Sequence, residues 1–204
     1  ALSLRRELDI AKAWLEGKKR RLWGMFPVSA EDEALDILTR IEERAPGKRI
    51  AEVALKMKAD YYYDAHKYDE AETAYRRLLR DYPSKRYRQM AARRAADAAD
   101  ARFAGAPFDE TPLLEATELY RQYLDQFPQS TDHAEIEGFL QLIQAKRAEK
   151  NFQVGKFYQR VRQPRAAAYY FNYVLKTWPE TLWADRSRVE MERMGFEPGA
   201  PVVD

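Results

Sequence analysis

Four prolines constrain this chain more than any other feature. Twelve residues before Pro46, Pro83, Pro128 and Pro179 stand Ala34, Ala71, Ala116 and Ala167. Eight residues before them stand Leu38, Tyr75, Tyr120 and Phe171, and five before them Ile41, Leu78, Tyr123 and Val174. Steps of four and three place each set on one face of an α-helix. Each proline therefore follows an amphipathic helix that must bury this face, and a unit that recurs in this way is the mark of a helical repeat protein.

The preceding helix of each hairpin is legible at two places. Counting back 24 from Pro83 gives Ala59 with Tyr62 three further on, and the same count from Pro179 gives Gly155 with Tyr158. The small residue lets two helices approach closely, and the aromatic packs into the neighbouring helix. Small residue, Tyr, Ala, aromatic and Pro in this order resembles the tetratricopeptide (TPR) pattern.

The prolines are 37, 45 and 51 residues apart, more than the roughly 34-residue period of the plain repeat. In the third hairpin the excess falls in residues 104–111, where Gly105, Pro107 and the pair Thr111-Pro112 predict a loop and a fresh helix start, with Thr as N-cap and Pro first in the helix. Between Pro128 and Pro179 no such breaker interrupts His133 to Arg160. There Ile136, Leu140, Ile143, Phe152 and Phe157 keep helical spacing, which predicts one helix of roughly seven turns or more. At the ends, Leu4 to Trp23 is expected to be helical, with Leu4, Leu8, Ala11 and Leu15 on one face. Trp183 to Met194 is expected to form a final helix stopped by Gly195 and Pro198, either a cap or half of a further repeat. The expectation is a single all-α domain spanning 1–204, a TPR-like α-α superhelical solenoid. Its hairpins cover about 4–46, 50–83, 87–128 and 133–179, followed by a terminal helix at 183–194.

Composition narrows the chemistry. With 35 basic and 33 acidic side chains the net charge is +2, which argues against nucleic acid as a partner. The absence of cysteine excludes disulfides, thiolate metal sites and a cysteine nucleophile. The two histidines, His66 and His133, fall near inter-helix turns and read as surface residues, without the spacing of a metal pair. No phosphate-cradling glycine loop, GxSxG or HExxH occurs, so no enzyme activity, metal or cofactor is expected. The run Lys18, Lys19, Arg20, Arg21 reads first as a solvated helix face, and second as a contact with a phospholipid surface. No stretch approaches the roughly 18 apolar residues of a membrane span. Ala1 to Lys19 lacks a signal-peptide layout, so any signal or anchor cysteine is expected upstream of Ala1.

Within Tyr61-Tyr62-Tyr63, Tyr62 is the packing residue by register, and at least one of its neighbours is expected to be exposed. In a TPR stack the first helix of each hairpin lines the concave face. This assigns Lys56, Asp60, Tyr63 and Asp64 to a candidate groove, with Arg93, Asp97 and Asp100 from the next hairpin and Phe152, Lys156, Gln159 and Arg160 from the last. A mixed-charge surface with aromatic anchors suits an extended peptide, the alternative being an unoccupied solvated face.

The stretch NFQVGKFYQRVRQPRAAAYYFNYVLKTWPET, Asn151 to Thr181, resembles the fourth repeat of the outer-membrane β-barrel assembly lipoproteins, the BamD (YfiO or ComL) family. The matching residues are Val154, Gly155, Lys156, Phe157 and Tyr158, then Ala166, Ala167, Phe171, Val174, Leu175 and Pro179. YLDQFPQS, Tyr123 to Ser130, is similar to the close of the family's third repeat, and KYDEAETAYRRLLRDYPS, Lys67 to Ser84, to its second. The resemblance implies a non-catalytic periplasmic scaffold that holds unfolded barrel substrates or assembly subunits, and peripheral membrane attachment through an upstream lipid anchor. The family's lipidated cysteine is absent from this sequence, and its fifth repeat, which helps dock the barrel-insertion subunit, is half present. The alternative is a TPR adaptor of another cell-envelope or cytoplasmic complex.

Overall fold

A computed structural model describes residues 2–16, 20–22, 26–28, 30–82, 85–105 and 109–200. Among the described residues the helices are α1 (Leu2–Leu15), α2 (Glu31–Arg44), α3 (Arg49–Asp64), α4 (Tyr68–Asp81), α5 (Lys85–Ala101), α6 (Thr111–Gln126), α7 (His133–Arg160), α8 (Pro164–Thr177) and α9 (Leu182–Arg193). They pack in adjacent pairs as TPR-like hairpins, α1 on α2, α3 on α4, α6 on α7, α7 on α8 and α8 on α9. The chain divides into two compact units, Ala1–Ala99 and Asp100–Asp204.

The proline register is written into the backbone. The residue before each proline donates its N–H to the carbonyl four residues back: Ala45 to Ile41 (3.1 Å), Tyr82 to Leu78 (3.1 Å), Phe127 to Tyr123 (2.9 Å) and Trp178 to Val174 (3.0 Å). Their φ values are −135°, −131°, −127° and −134°. A residue followed by proline is pushed out of the helical region by the ring, so all four helices end at the same point of the repeat. The twelve register positions are all buried: the four alanines, then Leu38, Tyr75, Tyr120 and Phe171, then Ile41, Leu78, Tyr123 and Val174.

The turns inside the hairpins also recur. At the end of α3, His66 donates to the Tyr63 carbonyl and Lys67 to that of Tyr62; at the end of α7, Arg162 donates to Gln159 and Gln163 to Tyr158. This paired closure is the Schellman motif, and it requires a left-handed residue, here His66 at φ 59° and Arg162 at φ 58°. The end of α9 repeats it with Gly195 at φ 77°, its N–H bonded to the Glu192 carbonyl and that of Phe196 to Met191.

In the first unit α2 lies between α1 and α3. Ala11, Ala34, Ile37, Leu38, Ile41 and Ala54 form its core, with Leu4, Leu8 and Leu15 of the α1 stripe packed against them. An ionic node ties three helices: Glu42 of α2 accepts from Lys58 of α3 (3.2 Å) and Arg77 of α4 (2.8 Å). In the second unit Ala148, Phe152, Ala167, Ala168, Phe171, Val174, Trp178 and Met191 join α7, α8 and α9. There α7 runs unbroken for 28 residues from His133 to Arg160, as its spacing predicts.

Three local expectations are corrected. Helix α1 ends at Leu15 instead of continuing to Trp23, and Arg20–Leu22 (β1) pairs antiparallel with Phe26–Val28 (β2). Gly17, Gly24 and Pro27 punctuate that stretch against a helix. Arg20 and Arg21 therefore sit on a strand and not on a solvated helix face, while Lys18, Lys19 and Trp23 lie outside the described residues. Thr111 is the first residue of α6 and not its N-cap; its N–H is met by the Asp109 carboxylate at 3.2 Å. Pro83 and Pro107 also lie outside the described residues.

Candidate functional site

A groove opens between helices of the first unit. With a volume of about 800 Å³, it is bounded by Leu8, Asp9, Lys12, Leu15 and Glu16 of α1, Glu31 of α2, residues of α3 from Val53 to Asp64, and Tyr87 of α5. The α3 contribution is Val53, Lys56, Met57, Asp60, Tyr61 and Asp64, followed by Ala65. Those six α3 positions follow helical spacing, so a single stripe of α3 forms the floor. Five lining side chains are acidic (Asp9, Glu16, Glu31, Asp60 and Asp64) against two lysines, with Leu8, Leu15, Val53 and Met57 as the apolar part. The groove can therefore hold a chain that carries apolar side chains and positive charge.

Of the candidate residues in this unit, Lys56, Asp60 and Asp64 line the groove. Lys56 and Asp60 form an ion pair one helical turn apart, and Asp60 also accepts from the Tyr75 hydroxyl at 2.8 Å. Burial, and then the Asp60 carboxylate, push the Tyr75 hydroxyl strongly up in pKa, so it stays a neutral donor. This fixes the floor carboxylate from behind. Tyr63 lies elsewhere, under the Arg94 guanidinium (4.6 Å) and edge-on to Tyr68 (5.6 Å). Arg93 and Asp97 bond to each other at 3.0 Å on α5.

The aromatics at the groove are Tyr61 of α3 and Tyr87 of α5, and Tyr61 takes the place expected for Tyr63. The Tyr61 ring is held at its edge and its face. Its hydroxyl donates to Glu31 at 2.7 Å and Lys67 sits over its ring at 5.9 Å. Partial burial and the Glu31 carboxylate push its pKa up to about 12. None of the three adjacent tyrosines is fully exposed, contrary to expectation, because hairpin neighbours cover part of each ring. Sequence reasoning missed Tyr61, Met57 and the α1 residues. The apolar stripe of α1 was visible, but Asp9 and Lys12 flank it without a repeat signature of their own.

In the second unit the candidates meet other partners. Asp100 holds Lys146 of α7 at 2.6 Å. Phe152, expected on an open face, is 7% exposed and packs against Phe171 and Trp183, each at 5.3 Å between ring centroids. Lys156 and Gln159 both engage Glu190 of α9, at 3.2 and 3.0 Å. Burial acts to raise the Glu190 pKa, but the hydrogen bonds from Gln159 and Lys156 outweigh it and hold the carboxyl below its ordinary value. Helix α9 thus covers the face of α7 that the repeat register left open, and Arg160 remains exposed.

His66 is exposed, and His133 is partly buried with Nε2 at 2.9 Å from the Phe127 carbonyl oxygen. Among the described residues no group of three or more His, Cys, Asp or Glu is placed to hold a metal, and no helix is long and apolar enough to cross a membrane. No curated protein sequence matches the chain. A family profile does: YfiO, described as an outer membrane lipoprotein, matches residues 29–194, which takes in the TPR-like helices from α2 to α9 and leaves out the α1 side of the groove. The hairpin register, the Ala-Ala start of α8 and this match agree, and the chain belongs to the YfiO family of non-catalytic outer-membrane lipoproteins, with a role in outer-membrane assembly.

Proposed function

We propose that the chain is a protein-binding scaffold of outer-membrane β-barrel assembly, which holds extended segments of unfolded barrel substrates or of assembly partners in the groove of its first unit. The observation that carries this reading is the groove's lining: a floor of Lys56, Met57, Asp60, Tyr61 and Asp64 beside the acidic and apolar residues of α1. An extended strand presents alternate side chains to opposite faces, so its apolar residues can meet Leu8, Leu15, Val53 and Met57 while basic residues meet the carboxylates. Family membership supplies the setting, since such segments are what outer-membrane assembly handles.

Photo-crosslinking tests the reading. A photoreactive amino acid in place of Met57 should label a peptide taken from the C-terminal strand of an outer-membrane barrel, whereas the same group in place of the exposed Arg188 on α9 should not. Equal labelling from both positions would remove the groove from the account.

A further inference from the structure

The end of the α7–α8 hairpin carries a second surface that the groove does not use. Phe157 and Val161, one turn apart at the end of α7, are 49% and 45% exposed, and Tyr169 on α8 is 61% exposed. Four rings form a continuous strip across the two helices. Phe157 meets Tyr158 at 5.5 Å, Tyr158 stacks on Tyr170 at 5.4 Å with 12° between planes, and Tyr170 meets Tyr169 at 5.4 Å. Packing within the hairpin accounts for the inner pair, Tyr158 and Tyr170. It leaves the outer rings facing solvent.

The hairpin's own charge has one sign, and the nearby Glu190 of α9 is taken up by Lys156 and Gln159. From Lys150 to Pro179 the chain has six basic residues and no acidic one. Arg160, Arg162 and Arg165 are exposed at the hairpin end, and none has a carboxylate partner among the described residues. Arg162 holds the left-handed turn position at φ 58°, so the turn projects a cation where glycine would be the relaxed choice.

We propose that this hairpin end binds the surface of an anionic phospholipid bilayer, with the arginines at phosphate level and Phe157, Val161 and Tyr169 set into the interface. Charge complementarity selects an anionic occupant. Exposed tyrosine and phenylalanine beside arginine is the composition that settles at the boundary between headgroups and acyl chains. None of its residues belongs to the Lys18–Arg21 run or to the groove lining, so it stands or falls without them.

Co-sedimentation of the 204-residue chain with vesicles of phosphatidylcholine, with or without phosphatidylglycerol, tests this. Binding should require phosphatidylglycerol and weaken with added salt. Arg162→Glu and Arg165→Glu should each lower vesicle affinity roughly fivefold or more. Phe157→Ser with Tyr169→Ser should lower it as well, with an unchanged circular dichroism spectrum, while Arg188→Glu on α9 should leave it unaltered. No preference for the anionic vesicles overturns the proposal. So does binding that survives these substitutions and disappears when Arg20 and Arg21 are replaced, since the lipid contact then lies at the other basic run. Binding of a polyglutamate peptide at this patch, with vesicles left unbound, overturns it too and makes the occupant an acidic protein segment.

Discussion

A Cβ placed on Gly155 would fall 2.6 Å from Cε1 and 2.8 Å from Cδ1 of Phe171. The Phe171 ring is fully buried and leans on Phe152 at 5.3 Å, so it has no room to yield. Gly155→Ala gains about 1 kcal/mol of helix propensity and meets an overpacking cost of about 1–3 kcal/mol. The net expectation is a loss of up to ~2 kcal/mol, read as a lower urea midpoint. Phe171→Leu in the Gly155→Ala background should recover part of that loss, because it removes the atoms that clash.

The three Schellman turns share their paired hydrogen bonds and place different residues at the left-handed position: His66, Arg162 and Gly195. A side chain there costs roughly 1–2 kcal/mol of backbone strain, partly offset by glycine's greater freedom in the unfolded chain. His66→Gly and Arg162→Gly should each raise stability by up to ~1 kcal/mol in chemical denaturation. Gly195→Ala should lower it. A destabilised His66→Gly variant would mean that the imidazole makes contacts outweighing the strain.

Glu42 is nearly buried between two cations, and Lys58, at 13% side-chain exposure, also donates to the Thr39 hydroxyl at 3.0 Å. Glu42→Ala leaves that ammonium without its carboxylate and should cost about 3 kcal/mol, the lower end of what breaking a buried pair costs because Arg77 is partly solvated. Glu42→Leu combined with Lys58→Met should cost much less, since no charge is then stranded. Urea unfolding of the two variants separates these outcomes.

The α7–α9 contact is sensitive to acid. Glu190 has a folded pKa below its ordinary value, so it contributes stability above the unfolded carboxylate pKa of roughly 4.3. That contribution is lost as the pH falls through the folded pKa. The stability difference between the wild-type chain and Glu190→Gln should be constant from about pH 7 to about pH 5, and should shrink below about pH 4. A difference that persists unchanged at the acid end would assign the effect to packing and not to the charge.

Legibility followed range. The buried face of α2, α4, α6 and α8 was readable because Ala, aromatic or aliphatic, and Pro recur at fixed offsets within one helix, and their burial needs only a partner helix beside them. The unbroken α7 was readable from the lack of breakers in 28 residues. Phe152 was misplaced because its surroundings are set by Trp183, distant in sequence, on a helix whose docking position the repeat register did not give. On α3 the aromatic that lines the groove is Tyr61 and not Tyr63, for a related reason. The two lie on opposite flanks of the α3 stripe, and only the neighbours, Glu31 on one side and Arg94 on the other, decide which one faces the groove. The β1–β2 pairing replaced the tail of an expected helix in a segment where glycine and proline outweighed apolar spacing.

The central claim, that the acidic and apolar groove of the first unit holds extended peptide segments, rests on a charge balance that can be inverted. Asp9 and Asp64 are exposed at the groove, so Asp9→Lys with Asp64→Lys changes the lining with little risk to the fold. The decisive measurement is the affinity, by fluorescence anisotropy, of a barrel C-terminal peptide with lysine at alternate positions and of its glutamate counterpart. The account predicts that the double variant weakens the lysine peptide about tenfold or more and strengthens the glutamate peptide. Affinities that are the same for both peptides before and after the exchange would contradict it.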